Sequence, residues 1–284
     1  MAAEILLEKG VPLRRAALLS LLLGLALLTK FTALMVAGPA LLAVGLKAGW
    51  ELRARPLALV RTAAALVVPL LAVAGWFYAR NVALYGRPLI GNWDLPGAAR
   101  VWWSPPGFHT PAYYLRFGEV LVHPYFSGFV SFWDSLYSTL WGDGFLAGVA
   151  ALKFRHESWH YGFMAAGYAL ALPLTALLVA GFGIALRAAW RDPDPGRRAA
   201  LGLLLVTPAA MGFALFFATL GLPYHGWPRA PYLLAATPAL ALWFAYGLRA
   251  LDGALAARGW TPLRALLYGG LGATACVFYL GFAA

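Results

Sequence analysis

Seven long stretches without a charged side chain dominate the sequence. They cover residues 16–29, 31–46, 62–79, 161–186, 199–224, 230–248 and 265–284. A helix rises about 1.5 Å per residue, so roughly 20 apolar residues are needed to cross a hydrocarbon core of about 30 Å. The last four stretches reach that length, and the third does so if Arg61 snorkels at its end. The pattern predicts an all-α, polytopic transmembrane helix bundle with about seven spans.

The first two stretches are short, and only Lys30 separates them. They are compatible with two short spans or with one hairpin that enters the membrane and returns. We favour two spans, because the sidedness of every later loop is then consistent. Arg14 and Arg15 before the first stretch are also typical of a secretory signal peptide, but no small-x-small cleavage site followed by a polar chain is present.

The low charge content excludes several classes of protein. Only 12% of the 284 residues are charged, about half of the roughly 25% found in soluble domains. Too little polar surface remains to coat a globule in water, so a soluble enzyme, a disordered chain and a nucleic-acid binder are excluded. The single cysteine, Cys276, also excludes a disulfide framework.

The distribution of Lys and Arg predicts the orientation of the chain. Fourteen of the 22 basic residues fall in one set of alternate short loops and their flanks, whereas only Lys30 and Arg229 fall in the short loops of the other set. By the positive-inside rule, the richer set is cytoplasmic. The long segment 80–157 then lies on the non-cytoplasmic side, and the net charge of +11 is explained without nucleic acid.

The segment 80–157 separates an N-terminal part, 1–79, from a C-terminal part, 158–284. It holds five of the 12 tryptophans, and such aromatic density is typical of a surface at the membrane–water interface. We expect one or two short interfacial helices within 112–150. Long ordered loops often carry function, although a simple cap over the bundle is the alternative.

Three basic residues are candidates for binding a phosphate group. Lys30, Arg80 and Arg229 are predicted to lie near one membrane depth on the non-cytoplasmic side. A cation placed at such a depth usually has a partner, and Arg and Lys both suit a phosphate. Each residue alone is equally compatible with a snorkelling anchor.

Asp134 and Asp143 are weak candidates for a general base, because they lie among aromatic residues in SFWDSLYSTLWGDGF. Asp134 is equally compatible with the wet face of an interfacial helix, and Asp143 with a turn between two glycines. His156 and His160 match the HExxH pattern of zinc peptidases. No third ligand is evident, so interfacial polar residues are favoured and no metal is predicted.

Four segments, taken in order, resemble the C-terminal half of bacterial membrane glycosyltransferases of the GT-C superfamily. They are GLALLTKFTALMVAGPALL, GWFYARNVALYGRPL, SFWDSLYSTLWGDG and PRAPYLLAATPALALWFAYG, within about residues 12–250. The resemblance is to the protein mannosyltransferase and aminoarabinose transferase relatives, a family 39-like group. It implies a polyprenyl-phosphate-linked sugar donor, a glycan, protein or lipid acceptor, a site at the outer face of the bacterial plasma membrane and no cofactor. It also implies that Lys30, Arg80 and Arg229 face the donor phosphate.

The sequence departs from that family in two respects. The family's catalytic carboxylate lies in an outer loop after the first span, and nothing before residue 12 matches such a span and loop. We therefore expect this chain to be the C-terminal part of a longer protein that holds part of the donor pocket without the base. Ala230 and Pro231 also intervene between Arg229 and Tyr232, where the family often has Arg-Tyr.

A non-catalytic polytopic protein, either a transporter or an assembly subunit, is the competing hypothesis. Transporters place ionisable groups near the membrane midplane, and the long spans of this chain carry none. Membrane lipids are partners under both hypotheses.

Overall fold

The structure is a computed structural model that describes residues 1–90, 110–146, 160–221 and 228–283. Within these ranges all regular structure is helical, which confirms the predicted all-α class. The α-helices are α1 (Ala2–Leu7), α2 (Leu13–Thr29), α3 (Leu34–Glu51), α4 (Pro56–Leu70), α5 (Trp76–Tyr85), α6 (Pro111–Leu115), α7 (Glu119–Val122), α8 (Phe132–Trp141), α9 (Tyr161–Arg191), α10 (Pro195–Gly221), α11 (Thr237–Ala257) and α12 (Thr261–Ala283). Short 3-10 helices occupy Phe31–Ala33, Ser127–Phe129 and Ala230–Ala236, and Leu71–Gly75 forms a π-helical turn.

Six helical segments of the described chain are long and apolar enough to cross a membrane. They are Phe31–Glu51, Pro56–Tyr85, Tyr161–Arg191, Pro195–Leu220, Ala230–Ala257 and Thr261–Gly281. Helix α2 is a further apolar helix of 17 residues, and at about 1.5 Å per residue it is slightly short for a full crossing. The polytopic helix bundle is therefore confirmed, with six full-length helices beside α2.

The third predicted span, 62–79, is longer in the structure than the charge-free stretch suggested. Helices α4 and α5 join through the π-helical turn into one apolar segment, Pro56–Tyr85. It ends at Gly86, which adopts the left-handed conformation (φ 72°) that glycine tolerates best, and the Gly86 N–H donates to the Val82 carbonyl. Arg80 and Asn81 therefore lie inside α5 and not after the span.

The chain forms two compact units. Unit 1 comprises Met1–Arg100 and Ala185–Gly212, and unit 2 comprises Val101–Ile184 and Phe213–Ala284. Short helices α6, α7 and α8 lie in unit 2, in the part of 80–157 where short helices were expected. The three-part division at residues 79 and 157 stays a prediction.

A serine hydroxyl joins α2 to α4 in unit 1. The buried Ser20 hydroxyl donates to the Leu66 carbonyl (2.7 Å) and accepts from the Leu70 N–H (3.0 Å). It thus lies between two groups that would normally bond to each other along a helix. Gly24, one turn further, lets the helices approach, since a Cβ there would lie 3.2 Å from the Leu70 Cα. Small residues four apart are typical of such helix contacts in membranes.

We expect the substitution Ser20→Ala to destabilise the protein, because it leaves the Leu70 N–H and the Leu66 carbonyl facing a methyl group. An unsatisfied buried polar group and a lost interhelical bond together cost about 1–2 kcal/mol. Thermal unfolding in detergent micelles measures the effect. Thr29→Ala is the matched control, because the exposed Thr29 hydroxyl donates to the Ala26 carbonyl within α2. Equal unfolding midpoints for the two variants would contradict this role of Ser20.

Two glycines bring α9 and α11 into backbone contact in unit 2. A Cβ at Gly181 would overlap the Trp243 carbonyl, and a Cβ at Gly247 would overlap the Leu177 carbonyl. The Phe182 and Trp243 rings pack beside this contact, with centroids 4.8 Å apart. Steric fit therefore determines the α9–α11 interface.

Candidate functional site

Two of the three predicted phosphate-binding residues line one cavity in unit 1. The cavity measures about 640 Å³, within the range of about 300–1,000 Å³ that is typical of ligand sites. Its walls come from the end of α2, the start of the next helix and the end of α5. The lining residues are Leu27, Leu28, Thr29, Lys30, Phe31, Phe77, Tyr78, Arg80, Asn81, Tyr85, Pro88, Leu89 and Ile90. Lys30 and Arg80 thus share one site, 50 residues apart in sequence.

Local hydrogen bonds fix the walls of this cavity. Lys30 has extended backbone (φ −158°, ψ 128°) and separates α2 from the Phe31–Ala33 turn. The Tyr78 hydroxyl donates to the Leu27 carbonyl (2.9 Å), which ties α5 to the last turn of α2. The buried Asn81 amide donates to the Pro88 carbonyl (3.0 Å) and holds the chain after α5 against that helix.

The cavity is electropositive. Lys30 and Arg80 are both exposed, and none of the described residues that line the cavity is acidic. Desolvation by the surrounding wall lowers the pKa of the Lys30 ammonium from its usual value of 10.5. An anion that entered would offset this desolvation and accept hydrogen bonds from both cations. The chemistry fits a phosphate group at the end of apolar helices.

Arg229 lies in unit 2, in a segment whose backbone is held on both sides. The Ser135 hydroxyl donates to the Pro228 carbonyl (2.9 Å). The Ala230 N–H donates to the Thr139 hydroxyl (2.8 Å). Both hydroxyls come from one face of α8, so α8 positions Arg229 at the start of the Ala230–Ala236 turn.

The Arg229 guanidinium stacks on an aromatic ring. Its central carbon lies 4.2 Å from the centroid of Phe145, a cation–π geometry. The buried Nε of Arg229 has no hydrogen-bond partner among the described residues. Phe145 is itself fixed, because Gly128 lies directly against its ring and Phe129 packs with a centroid separation of 4.6 Å. Arg229 is thus a preorganised cation with donor capacity left.

Asp134 is fully buried, and its carboxylate is occupied by structural hydrogen bonds. One oxygen accepts from the N–H groups of Gly118 (3.0 Å) and Val120 (3.2 Å). The other accepts from the Ser131 hydroxyl (2.8 Å), which also caps α8 by accepting from the Asp134 N–H (2.9 Å). Asp134 therefore holds the start of α7 against the start of α8. This arrangement favours a structural role over a general base, and the S-x-x-D spacing of a capping box was the sequence signal for it.

Asp143 is half-buried in the turn that follows α8. Its carbonyl accepts from the Leu146 N–H (2.9 Å). The preceding Gly142 lies against the Tyr168 ring, where a Cβ would approach the hydroxyl to 2.8 Å. The turn is thus packed on α9, and Asp143 is the more accessible of the two carboxylate candidates.

His160 is exposed at the start of α9. Its Nδ1 lies 3.5 Å from the Phe163 N–H, and its ring packs on Phe163 with a centroid distance of 5.1 Å. Its partner in the HExxH pattern, His156, lies outside the described residues. The described residues contain no cluster of three or more groups able to hold a metal ion.

Sequence reasoning missed the residues that support the predicted cations. Tyr78 joins Lys30 and Arg80 in the cavity, and Phe145 supports Arg229, which belongs to unit 2. No spacing links Phe145 to Arg229, because they are 84 residues apart. Tyr78 had no spacing signal either, because residues two apart on a helix do not normally face each other.

The apolar helices define an integral membrane protein with several transmembrane helices. Among known proteins, no family model, no curated sequence and no solved structure matches the chain.

Proposed function

We propose that this chain is a membrane glycosyltransferase, or the C-terminal part of one, that uses a polyprenyl-phosphate-linked sugar donor. The cavity containing Lys30 and Arg80 carries the proposal. It combines two cations, a phenol and an apolar wall at the end of membrane-length helices. A lipid-linked sugar presents a phosphate at headgroup level and a long apolar tail, so it suits both parts of the cavity.

The two cations act in the proposed reaction on the leaving phosphate. The acceptor hydroxyl oxygen forms a bond to the anomeric carbon of the sugar, while the bond from that carbon to the phosphate oxygen breaks. The electron pair leaves with the phosphate, and Lys30 and Arg80 stabilise the added charge. The hydroxyl proton goes to a carboxylate base. In the family that the sequence resembles, this carboxylate lies in an outer loop after the first span.

The proposed location is the bacterial plasma membrane, with the segment 80–157 on the non-cytoplasmic side. Its support is the concentration of Lys and Arg in the opposite set of loops. A donor delivered at the outer face would then meet Lys30 at headgroup level.

We expect Lys30→Ala and Arg80→Ala each to weaken binding of a polyprenyl phosphate by about tenfold. A charge-assisted hydrogen bond contributes about 1.5–3 kcal/mol, and 1.4 kcal/mol is a factor of ten in affinity. The detergent-solubilised protein is titrated with polyprenyl phosphate, and binding is monitored by intrinsic fluorescence or calorimetry.

Two controls separate phosphate recognition from tail binding. Polyprenol, which has the same tail without the phosphate, is expected to bind weakly to the wild type and equally to all variants. Arg249→Ala removes an exposed cation that does not line the cavity, and it should leave the affinity unchanged. Wild-type affinity in both cavity variants would refute the phosphate site.

The structural hydrogen bonds of Asp134 favour the non-catalytic alternative, which has its own test. The Asp134 carboxylate accepts three structural hydrogen bonds, so a membrane protein that binds a lipid phosphate without transferring sugar is the second candidate. Sugar transfer from a radiolabelled donor to membrane acceptors separates the two functions. Transfer that is lost in Lys30→Ala and Arg80→Ala supports the enzyme, and phosphate-dependent binding without transfer supports the alternative.

A further inference from the structure

A second cavity in unit 1 lies between α1, α3 and the first half of α10. It measures about 640 Å³ and shares no lining residue with the cavity of Lys30 and Arg80. We propose that it binds one zwitterionic aminophospholipid, with phosphatidylethanolamine as the expected occupant. This site is separate from the proposed donor site and does not depend on the proposed function.

A half-buried lysine, Lys47, builds one wall of this lipid groove. The Lys47 ammonium on α3 donates to the carbonyls of Ile5 (2.8 Å), Leu6 (3.1 Å) and Glu8 at the end of α1. On the other side, Gly196 at the start of α10 lies against the Leu6 carbonyl, where a Cβ would approach to 2.6 Å. Helix α1 is thus held between α3 and α10, and the groove is a built feature of unit 1.

The floor of the groove is apolar and belongs to two membrane-length helices. Leu42 and Leu46 of α3 are 63% and 66% exposed, and Val206 of α10 is 52% exposed. Such exposure in a membrane-length helix places these side chains against hydrocarbon, not water. A phospholipid acyl chain is the occupant that a floor of this kind fits.

The mouth of the groove carries groups of both signs. Lys9 is an exposed cation, whereas Glu51 and Asp194 are exposed carboxylates. Lys47 is engaged by α1 and by Glu51 at 3.6 Å. Hydrogen bonding from the Arg197 N–H lowers the pKa of the Asp194 carboxyl, so it stays ionised at neutral pH. A head group with one phosphate and one ammonium complements Lys9 on one side and the two carboxylates on the other.

An anionic phospholipid fits this mouth less well. Its phosphate would face the two carboxylates of Glu51 and Asp194, of which the single Lys47 ammonium offsets only one charge, and like charges at short range are unfavourable. The ethanolamine ammonium also carries three N–H donors, which both carboxylates can accept. The mixed charge of the mouth therefore selects the aminophospholipid.

Native mass spectrometry of the full chain tests the proposal. The protein is released from nanodiscs that contain equal amounts of phosphatidylethanolamine and phosphatidylglycerol. The expected result is one retained phosphatidylethanolamine per chain, in excess over phosphatidylglycerol. Gly202→Trp places a ring in the groove, since Gly202 lines it and a Cβ there meets open space. That variant is expected to lose the retained lipid.

Gly212→Trp is the matched control, because Gly212 lies on the same helix, also meets open space and does not line the groove. It should retain the lipid as the wild type does. The double variant Glu51→Gln and Asp194→Asn should lower the preference for phosphatidylethanolamine by about two- to fivefold. Lys30→Ala should leave retention unchanged, which separates this site from the donor site. Preference for phosphatidylglycerol, or wild-type retention in Gly202→Trp, would overturn the proposal.

Discussion

Replacing Gly247 or Gly181 with alanine is expected to cause the largest loss of stability of any single methyl addition in the described chain. Each Cβ would overlap a backbone carbonyl of the facing helix, Leu177 for Gly247 and Trp243 for Gly181. Backbone cannot rotate away as a side chain can, so α9 and α11 must separate. Overpacking of a close contact costs about 1–3 kcal/mol or more, and we expect the upper end here.

The measurement is the thermal unfolding midpoint in detergent micelles, which should fall by about 5 °C or more in each variant. Gly183→Ala on α9 and Gly253→Ala on α11 are matched controls, because a Cβ at either position meets open space. Since alanine favours helix over glycine by about 1 kcal/mol, the controls should keep or raise the midpoint. A fall of equal size in the controls would show that the close contact is not responsible.

Asp134→Ala is expected to release the start of α7 from α8. The substitution leaves the N–H groups of Gly118 and Val120 without their acceptor, and Val120 is fully buried. Each unsatisfied buried donor costs about 1–3 kcal/mol, so the total loss is about 3 kcal/mol or more. Hydrogen exchange of residues 116–122 should accelerate more than exchange in α9 or α11.

Asp134→Asn separates this structural role from a catalytic one. The amide oxygen can still accept from Gly118 and Val120, although the amide nitrogen cannot accept from the Ser131 hydroxyl. The asparagine variant should therefore recover much of the protection in 116–122. If Asp134→Asn kept full protection and thermal stability but abolished sugar transfer, Asp134 would be a catalytic carboxylate and not a structural tie.

Six of the seven predicted spans correspond to helices of membrane length, because a charged group within hydrocarbon is costly and charge-free stretches therefore mark such helices. The first stretch forms α2, whose 17 residues are slightly short for a full crossing. The ends were harder to predict. The third span runs from Pro56 to Tyr85 and includes Arg61 and Arg80 near its ends. A long basic side chain at such a position can keep its charged head in water while its helix stays in the membrane. A charged side chain ends an apolar stretch in sequence without ending the helix.

The candidate site was predictable only in part. Lys30 stood out because basic residues are scarce in the short loops on its predicted side, and Arg80 because it directly follows the third charge-free stretch. Both residues line one cavity. Arg229 also stood out, yet its support by Phe145 and α8 has no local signature. The structural role of Asp134 was not predicted, although the S-x-x-D spacing from Ser131 to Asp134 is typical of a helix N-terminus and its hydrogen bonds show that role.

The sequence by itself determined that this chain is a helical membrane protein, since charge-free stretches of membrane length leave few other folds. It also singled out Lys30, Arg80 and Arg229 as candidate phosphate-binding cations. Only the tertiary structure decided how the helices pair, because pairing depends on single contacts such as Ser20 with Leu70 and Gly181 with Trp243. The mixed-charge groove beside Lys47 likewise exists only where α1, α3 and α10 meet, and residues distant in sequence come together there through packing alone.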